Sequence, residues 1–365
     1  MSKKEENIRG LFAKHESLTD EEYETSNCMS YSKIKDVYDN ASAITRKRTK
    51  SNAEWLIFGT IVDIMLTETE EDIKNKIIIN DDVPTEQFLK MSEYILDNDL
   101  DIEDLTDIQI EKIYIESGSN VIWKNDTKRA KLILNCSSYI ELLENNRDKY
   151  IINSSVYDEA LKVANVFKQH EWTRELFLTE EEQIESNVEI YYQFKIQYIY
   201  ANIRCQSKFD IVLIDHNLKT ITPIDIKTGS DYPRMFIRNA LYKYKYGYQG
   251  ALYKEGLTKF VRNLKEFDKY SIENFRFVYV SRLVPFYPIT LQMAQSCHNE
   301  FKVDGIYNHH YDLPALDDLF MEATYYIEQI DKGHTNIDPF DLTPTWGEIV
   351  MESTTFDREL RGLPF

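Results

Sequence analysis

Apolar residues recur every three to four positions over most of the first 170 residues, which is the spacing of one face of a helix. Segments 30–66 and 70–170 are predicted to be mainly helical, and 157–169 has the clearest amphipathic pattern. Polar clusters at 81–84 and 117–120 predict breaks between these helices. The first half of the chain is therefore expected to be a helical assembly.

The pattern becomes strand-like near residue 171, where Ile, Val, Tyr and Phe are frequent. Five segments predict strands of a mixed or antiparallel sheet: 174–178, 188–203, 209–214, 220–227 and 274–282. Helical spacing returns at 235–256, after a break at 229–233, and again at 313–332. We therefore predict an α/β fold with a large helical N-terminal elaboration.

These changes divide the chain into four predicted regions. Residues 1–27 are polar and charged and are expected to form a flexible arm. A mainly helical part over 28–170 precedes a sheet-containing core over 171–290, and a helical extension covers 291–365.

Composition narrows the class of protein. The 365 residues suffice for a large core, and no run of roughly 18 apolar residues predicts a transmembrane helix. The first residues lack the apolar region of a signal peptide, so we expect a cytoplasmic protein. The four cysteines form no C-x-x-C pair, which predicts free thiols rather than a zinc or iron–sulfur site.

The net charge of −19 argues against a nucleic-acid partner until its distribution is considered. Residues 68–111 carry 15 Asp and Glu against 3 Lys, a local net of −12, so the other 321 residues carry −7. The acidic stretch is most simply a solvated helical face. Local basic groups elsewhere decide whether phosphates can bind.

Candidate chemistry lies in the predicted hairpin formed by 209–214 and 220–227. If its turn centres near Asn217 and Leu218, Asp210 lies opposite Asp225 or one residue away. The two-residue period of a strand places Asp225 and Lys227 on one face. Two carboxylates and an ammonium together can hold Mg²⁺ or Mn²⁺ and stabilise charge on a phosphate. An exposed strand that carries charges for solubility is the alternative.

A second pair of residues follows the hairpin. Gln249 and Tyr253 are four positions apart, so a helix places both on one face. By itself this spacing is frequent by chance, and only its place downstream of the hairpin makes it informative.

Asp210, the run Pro223-Ile-Asp225-Ile-Lys227 and the run Gln249-Gly-Ala-Leu-Tyr253 together resemble the PD-(D/E)xK nuclease superfamily. The resemblance is to its RecB-type, exonuclease VIII-like branch, and the matched motifs cover roughly residues 30–66 and 188–282. It implies a restriction-endonuclease-like core, a central mixed sheet flanked by helices, with the catalytic part in 171–290.

The same resemblance implies roles for individual residues. A divalent cation, Mg²⁺ or Mn²⁺, would be held by Asp210, Asp225 and the backbone of Ile226, with Lys227 as the catalytic lysine. Gln249 and Tyr253 would belong to the active-site wall or contact DNA.

Two further ligands are open. The branch often has a G-x-x-x-H motif on an N-terminal helix, and the matching string here runs from Gly59 to Asp63, with aspartate in the histidine position. Asp63 is a candidate ligand, and a salt bridge within its helix is the alternative. The resemblance also implies an acidic residue upstream of Asp210, for which Glu189 is the best candidate and Glu185 and Gln193 compete; a surface charge on a strand is the favoured alternative for each of them.

Three basic groups are candidates for contact with DNA: residues 46–50, 124–131 and 234–245. The first and third lie next to the motifs, and for 124–131 a solvated charge face is favoured. The candidate side chains are Arg46, Arg48, Arg234, Arg238, Lys243 and Lys245. Tyr242, Tyr244, Tyr246 and Tyr248 alternate near the last of these and predict stacking surfaces for bases.

The leading hypothesis is a Mg²⁺- or Mn²⁺-dependent deoxyribonuclease, most simply an exonuclease in recombination or DNA processing. The alternatives are a structure-specific or nicking endonuclease, and a DNA-binding or assembly protein that has lost catalysis. DNA is the expected partner, with a recombinase or single-strand-annealing protein and a homo-oligomer as further candidates. The sequence contains no G-x-x-x-x-G-K-[ST] motif, so an ATP-driven motor is not expected in it. The composition is typical of a phage protein, which would act in the host cytoplasm.

Overall fold

The computed structural model describes residues 9–15, 18–26, 28–39, 54–82, 84–146, 149–283, 286–307 and 312–332. These residues divide into two compact units. One consists of Ala53–Ala164, and the other of the chain before and after that segment. None of the described helices is long and apolar enough to cross a membrane.

The α-helices, in chain order, are α1 Asp20–Thr25, α2 Tyr31–Asp39, α3 Glu54–Thr67, α4 Glu70–Lys76, α5 Glu86–Asp97, α6 Asp107–Glu116, α7 Asn125–Glu144, α8 Ser154–Gln169, α9 Glu180–Ser186, α10 Pro233–Ala240, α11 Tyr246–Val261, α12 Gln295–Asn299 and α13 Leu316–Asp331. The strands are β1 Ile77–Ile79, β2 Tyr150–Ile152, β3 Val188–Tyr200, β4 Ile203–Asp215, β5 Thr220–Gly229, β6 Ser271–Ile272, β7 Arg276–Ser281, β8 Pro288–Gln292, β9 Ile306–Tyr307 and β10 Asp312–Leu313.

The unit formed by residues 53–164 is mainly helical, as predicted. Its core lies among α5, α6 and α7, where Ile95, Ile110 and Leu132 are fully buried. Thr106 begins α6 with a reciprocal capping box to Gln109, which supplies partners for two backbone N–H groups. The predicted breaks fall between helices. The short parallel pair β1–β2 was not predicted, because three-residue strands have too few positions to show a period.

A mixed sheet forms the centre of the other unit, with strand order β3-β4-β5-β7-β8 and β6 beside β5. The β3–β4, β4–β5 and β7–β8 pairs are antiparallel, whereas β5 and β7 are parallel. Antiparallel neighbours need only tight turns, but the parallel pair needs a long connection, which α10 and α11 supply. The chain is therefore mixed α/β with a central mixed sheet flanked by helices.

The first hairpin of this sheet differs from the prediction. Sequence patterning predicts one strand over 188–203, a separate strand over 209–214 and another over 174–178. Instead, β3 and β4 are long partners joined by a two-residue turn at Ala201 and Asn202, where φ is +46° and +63°. Such turns require positive φ at both positions and usually contain glycine, so the sequence hides this one. Arg174–Leu176 forms a 3₁₀ turn instead of a strand.

The helical segment predicted over 235–256 is also interrupted. α10 ends at Ala240 and α11 begins at Tyr246, after Lys245 adopts a left-handed φ of +59°. The interruption lets the amphipathic α10 bury Phe236 while α11 turns across the sheet.

α11 covers one face of the sheet and supplies much of its core. Tyr248, Leu252 and Leu257 are fully buried against strand residues such as Phe209 and Phe277. Burial of each large apolar side chain contributes about 1.5–3 kcal/mol, so this contact fixes the position of the helix. The residues of α11 that face the sheet are held as rigidly as the strands themselves.

Part of the segment expected to be a flexible arm packs on the sheet. Phe12 is fully buried between Phe194, Phe260 and Phe267. Further along, Met29 exchanges backbone hydrogen bonds with β4 through Arg204 and Gln206. A polar sequence therefore conceals two anchor points, since single apolar residues show no period.

Candidate active site

Asp210 and Asp225 lie opposite each other where β4 and β5 separate. The ladder between these strands runs from Asp215–Thr220 to Ile211–Ile224, and extending the register by one pair joins Asp210 to Asp225. At this position the strands have parted, and the backbone N–H of Ile226 donates to Oδ2 of Asp210 at 2.6 Å. The predicted hairpin register is therefore correct, and the carboxylate of Asp210 replaces a backbone acceptor.

The ladder on the other side of Asp210 is interrupted as well. β3 and β4 pair in one register from end to end but skip the pair Gln193–Asp210, where Gln193 has a φ of +52°. A positive φ is strained for a glutamine, and such strain is concentrated at functional sites. Nε2 of Gln193 is buried and has no hydrogen-bond partner in the described part of the chain. Asp210 thus lacks regular strand pairing on both sides.

Asp225 is buried, with 3% of its surface exposed, and is held from two directions. Nε2 of Gln249 donates to Oδ1 at 2.5 Å, and Nζ of Lys227 lies 2.5 Å from Oδ2. The Lys227 contact is an ion pair by distance but is not aligned as a hydrogen bond, so Oδ2 retains an unused lone pair. The attraction between Lys227 and Asp225 is strong at this separation, because charge attraction depends on distance more than on angle.

Lys227 is fixed by an aromatic ring as well as by Asp225. Its Nζ lies 4.9 Å from the ring centre of Tyr246, which in turn stacks on Phe277 at 5.7 Å. Burial lowers the pKa of Lys227, but the Asp225 carboxylate outweighs it and holds the pKa above its ordinary value. The Asp225 carboxylate therefore favours the charged form of Lys227.

Tyr246 was not predicted as part of this site. It precedes Gln249 by three residues on α11, so the two share a helix face. The three-residue spacing is visible in the sequence, but Tyr246 was predicted to belong to a stacking surface for bases.

Asp210 holds its proton unusually tightly. Burial raises its pKa first, and repulsion from Asp225 adds to this, with Lys227 opposing both. The resulting pKa is about 7. The two carboxylates therefore resist ionising together unless a further positive charge joins them.

We expect replacement of Asp210 by asparagine to stabilise the protein at pH 8 when divalent cations are removed. The folded state binds the Asp210 proton more tightly than the unfolded state does. Its stabilising contribution is therefore complete below pH 4 and is lost as the pH rises through about 7. The asparagine variant escapes this loss, and we expect a gain of about 1–3 kcal/mol at pH 8 that vanishes near pH 4. Urea unfolding in EDTA at both pH values measures it.

The exposed Asp268 provides a matched control for this experiment, because its substitution by asparagine changes the same atoms without burial. Asp268→Asn should show no gain at either pH. An equal gain from Asp210→Asn at pH 4 and pH 8 would contradict the titration argument.

Tyr253 lies in the wall of the site, one helical turn beyond Gln249. It is 6% exposed and packs edge-on against Phe209 at 5.1 Å. Its hydroxyl shares a hydrogen bond with Tyr23 of α1, and burial raises the pKa of Tyr253 well above its ordinary value. Tyr253 is thus a neutral side chain that packs in the wall of the site.

Tyr23 reaches this site from the N-terminal segment and was not predicted. Nε2 of Gln206, on β4, donates to its backbone oxygen at 3.0 Å. Asp20, three residues earlier, pairs with Lys195 and Lys208 at 3.4 and 3.5 Å. Tyr23 is a single aromatic residue in a polar segment, so the sequence pattern did not indicate that it contacts Tyr253.

The oxygen atoms present suit a hard divalent cation. Oδ2 of Asp225 and Oε1 of Gln249 are buried and have no hydrogen-bond partner in the described residues. In the same part of the chain, no group of three or more His, Cys, Asp and Glu side chains comes together. Two carboxylates with neutral oxygens fit Mg²⁺ or Mn²⁺, which retain several water ligands, better than zinc.

The structure separates Glu189 from these carboxylates and gives it another task. It lies opposite Ile214, four residues along β3 from Gln193, or about 13 Å at the rise of a strand. Its carboxylate accepts hydrogen bonds from the N–H of Gly10 at 2.7 Å and from the hydroxyl of Tyr191, and bonds Nε2 of His216 at 2.6 Å. Glu189, which was expected to be a metal ligand, therefore joins the N-terminal segment to the hairpin through hydrogen bonds.

Two other groups of predicted residues have a different status. Asp63 is half-buried on α3 in the unit formed by residues 53–164, and its part in metal binding stays a prediction. Arg46 and Arg48 lie outside the described residues.

The predicted DNA-contacting cations near α10 divide into two kinds. Arg234, Arg238 and Lys243 are exposed. Lys245 is already engaged, because its Nζ lies 3.2 Å from Oδ1 of Asp39 and 3.4 Å from the ring centre of Tyr38. Exposure leaves the first three available to phosphates.

The predicted row of stacking tyrosines is wrong for one member and altered for others. Tyr248 is fully buried and donates to the carbonyl of Pro314 at 2.6 Å. Tyr244 donates a hydrogen bond to Asp231 at 2.6 Å, and the ring of Tyr246 contacts Nζ of Lys227. The alternation predicted a strand-like row, but the interruption at Lys245 sends these rings in different directions.

No model of a known protein family matches this chain, and no curated protein matches it. Among solved structures, a "putative exonuclease" from Eubacterium rectale aligns with a TM-score of 0.44 and 12% identity, covering 90% of this chain and 99% of that chain. A second solved structure, known by a locus name alone, aligns with a TM-score of 0.22 and 9% identity, covering 78% of this chain and 88% of that chain.

Proposed function

We propose that this protein is a metal-dependent deoxyribonuclease of the PD-(D/E)xK type, built on a restriction-endonuclease-like core. One observation carries the proposal. The carboxylates of Asp210 and Asp225 face each other where two strands part, with the ammonium of Lys227 against one of them. Few structural roles require such a costly arrangement, since a buried carboxylate beside a half-buried one destabilises the folded state.

Asp210, Asp225 and the backbone carbonyl of Ile226 would hold Mg²⁺ or Mn²⁺. The raised pKa of Asp210 supports this assignment, because a cation would relieve the repulsion that raises it. When bound, the cation would polarise the phosphate and lower the pKa of a coordinated water.

The surrounding side chains have separate tasks in this proposal. The ammonium of Lys227 stabilises negative charge that develops on the phosphate in the transition state. Gln249 orients Asp225 through its Nε2 donor, which leaves Oε1 free to face ligands or water. Tyr253, buried in the wall of the site, excludes water from the side of the carboxylates that it covers.

The substrate is DNA, and the activity we propose is that of an exonuclease in recombination or DNA processing in the cytoplasm. A single-strand-annealing protein or recombinase is the partner that such an activity serves. A structure-specific endonuclease and an inactive DNA-binding protein are the other outcomes that the following experiment separates.

Purified protein should degrade linear DNA when Mg²⁺ or Mn²⁺ is added, and EDTA should stop the reaction. Covalently closed circular DNA should remain intact, because it offers no end. Cleavage of the circles would identify an endonuclease. Binding of DNA without hydrolysis under either metal would overturn the proposed enzyme and favour the inactive protein.

A further inference from the structure

Helix α10, which follows β5, is held in a fixed position against the sheet. Phe236 of α10 stacks on Tyr279 of β7 with ring centres 3.8 Å apart and an interplanar angle of 6°. Just before the helix, the backbone oxygen of Asp231 accepts from Tyr279 at 2.6 Å, and its Oδ2 accepts from Tyr244 at 2.6 Å. The outer face of α10 is therefore presented in a fixed orientation.

That outer face carries two cations. Arg234 and Arg238 are four residues apart, so they lie side by side opposite the buried Phe236. Neither forms an ion pair with another described residue. Two adjacent exposed guanidinium groups complement successive phosphates of a nucleic-acid backbone.

An open cleft of about 500 Å³ lies on the flank of the same helix. Ile237 of α10 forms one side, Ile289 and Leu291 of β8 form another, and Trp172 forms a third. The cleft thus shares an element with the two arginines, and its walls are mainly apolar. Its volume is within the range of small-molecule sites.

Trp172 is exposed yet held in place. It is 51% exposed, and its ring meets His170 at 5.2 Å and Tyr287 at 5.6 Å, both edge-on. His170 and Tyr287 also contact each other at 5.1 Å, which closes an aromatic triangle. Such contacts stabilise the ring in one orientation without covering it, as a stacking platform requires.

The charges around the cleft decide what enters it. Its lining includes Glu171, Glu175 and Arg276, a formal net of −1, and Arg276 already pairs with Glu175 at 3.0 Å. A phosphate is disfavoured there, whereas a flat neutral ring with donor groups is not. The phosphates therefore belong on the arginines and a base belongs in the cleft.

We propose that this cleft binds an unpaired nucleobase of single-stranded DNA whose phosphates lie along Arg234 and Arg238. The proposal rests on DNA being the substrate of the Asp210–Asp225 site, and it adds recognition of an unpaired strand. A base in a duplex is stacked and paired, so it cannot enter. The cleft would therefore favour single strands and frayed ends.

Binding in EDTA tests the proposal apart from hydrolysis. Fluorescence anisotropy is measured with labelled oligo(dT), with a strand of equal length made of abasic sites, and with a blunt duplex. We expect the wild-type protein to prefer oligo(dT) over the abasic strand by about ten-fold, as stacking on one aromatic ring predicts. In Trp172→Ala this preference should fall to about one, while affinity for the abasic strand stays unchanged.

Matched variants separate the parts of the surface. Trp123, 42% exposed on the unit formed by residues 53–164, is the control, and Trp123→Ala should keep the preference for bases. Trp172→Phe retains a ring and should keep part of it, which guards against misfolding of the alanine variant. Arg234→Ala combined with Arg238→Ala should weaken both strands equally and flatten the salt dependence by about one to two phosphate contacts.

An unchanged preference in Trp172→Ala, or equal weakening on the abasic strand, would overturn the base cleft. Absence of wild-type preference for bases would overturn it as well. Hydrolysis with no base preference would remove this proposal alone, and base preference without hydrolysis would remove the proposed enzyme alone.

Discussion

Asp225→Ala should lower the rate of DNA hydrolysis at least a thousand-fold. The substitution removes the carboxylate that contacts both Lys227 and Gln249, and it leaves Asp210 as the remaining proposed acidic ligand in that part of the sheet. Loss of one of two carboxylates weakens cation binding and misplaces the groups that stabilise the transition state. A change of about 4 kcal/mol in activation free energy corresponds to a thousand-fold loss of rate.

Two measurements identify the cause of that loss. Titration calorimetry with Mn²⁺ should show binding to the wild-type protein and little or none to Asp225→Ala. Steady-state hydrolysis of linear DNA in Mg²⁺ and in Mn²⁺ gives the rate. Asp225→Asn keeps the size of the side chain and an acceptor for Gln249, so it tests charge rather than packing.

Asp268→Asn is the control, because it removes an exposed carboxylate away from the parted strands. It should retain both metal binding and hydrolysis. Full activity in Asp225→Asn and Asp225→Ala would exclude this site as the catalytic centre. Removal of Asp225 relieves carboxylate repulsion but leaves the Lys227 ammonium without its partner, so thermal unfolding in EDTA should be measured beside activity to separate a loss of stability from a loss of catalysis.

Lys227→Ala should lower hydrolysis about a hundred- to a thousand-fold and leave Mn²⁺ binding in place. The ammonium supplies fixed positive charge beside the carboxylates, and a preorganised charge of this kind typically contributes about 2.7–4 kcal/mol to catalysis.

Lys227→Arg sharpens the test. A guanidinium retains the charge and stacks on the Tyr246 ring, but it is larger and differently shaped, so partial activity is expected. Lys265→Ala, an exposed lysine in the 3₁₀ turn after α11, serves as the control and should be fully active. Loss of Mn²⁺ binding in Lys227→Ala would show that the lysine supports the ligands rather than the transition state.

The sequence predicted several of the residues that the structure brings together around Asp225, since they come from local patterns. Strand period and turn position are encoded by neighbouring residues, so the pairing of Asp210 with Asp225 followed from a short segment. The four-residue spacing of Gln249 and Tyr253 likewise described one face of α11. Local geometry converted sequence positions into neighbours in space.

The sequence failed where distant segments meet. The contact of Tyr23 with Tyr253, and the hydrogen bond from Gly10 to Glu189, join residues more than 170 positions apart. Nothing in the polar N-terminal segment marks either contact. Glu189 was predicted as a metal ligand from the family resemblance and its place upstream of Asp210, and only its tertiary hydrogen bonds assigned it to a clamp between the N-terminal segment and the hairpin.

Positive φ angles caused a second group of errors. The turn at Ala201 and Asn202, the break at Lys245 and the strained Gln193 all occur without glycine. Each lies where packing of the surrounding elements outweighs a backbone cost of about 1–3 kcal/mol. Residue preference alone therefore placed a strand boundary and a helix boundary wrongly.

The sequence by itself determined the α/β class, the hairpin register and the carboxylates, lysine and glutamine of the site, because these depend on periodicity within single elements. Only the tertiary structure decided how they are used. It turned Tyr246 into a support for Lys227, withdrew Tyr248 and Glu189 from the predicted site, and raised the pKa of Asp210. The physical reason is that burial and charge interaction depend on which elements pack together, and that information is spread over the whole chain.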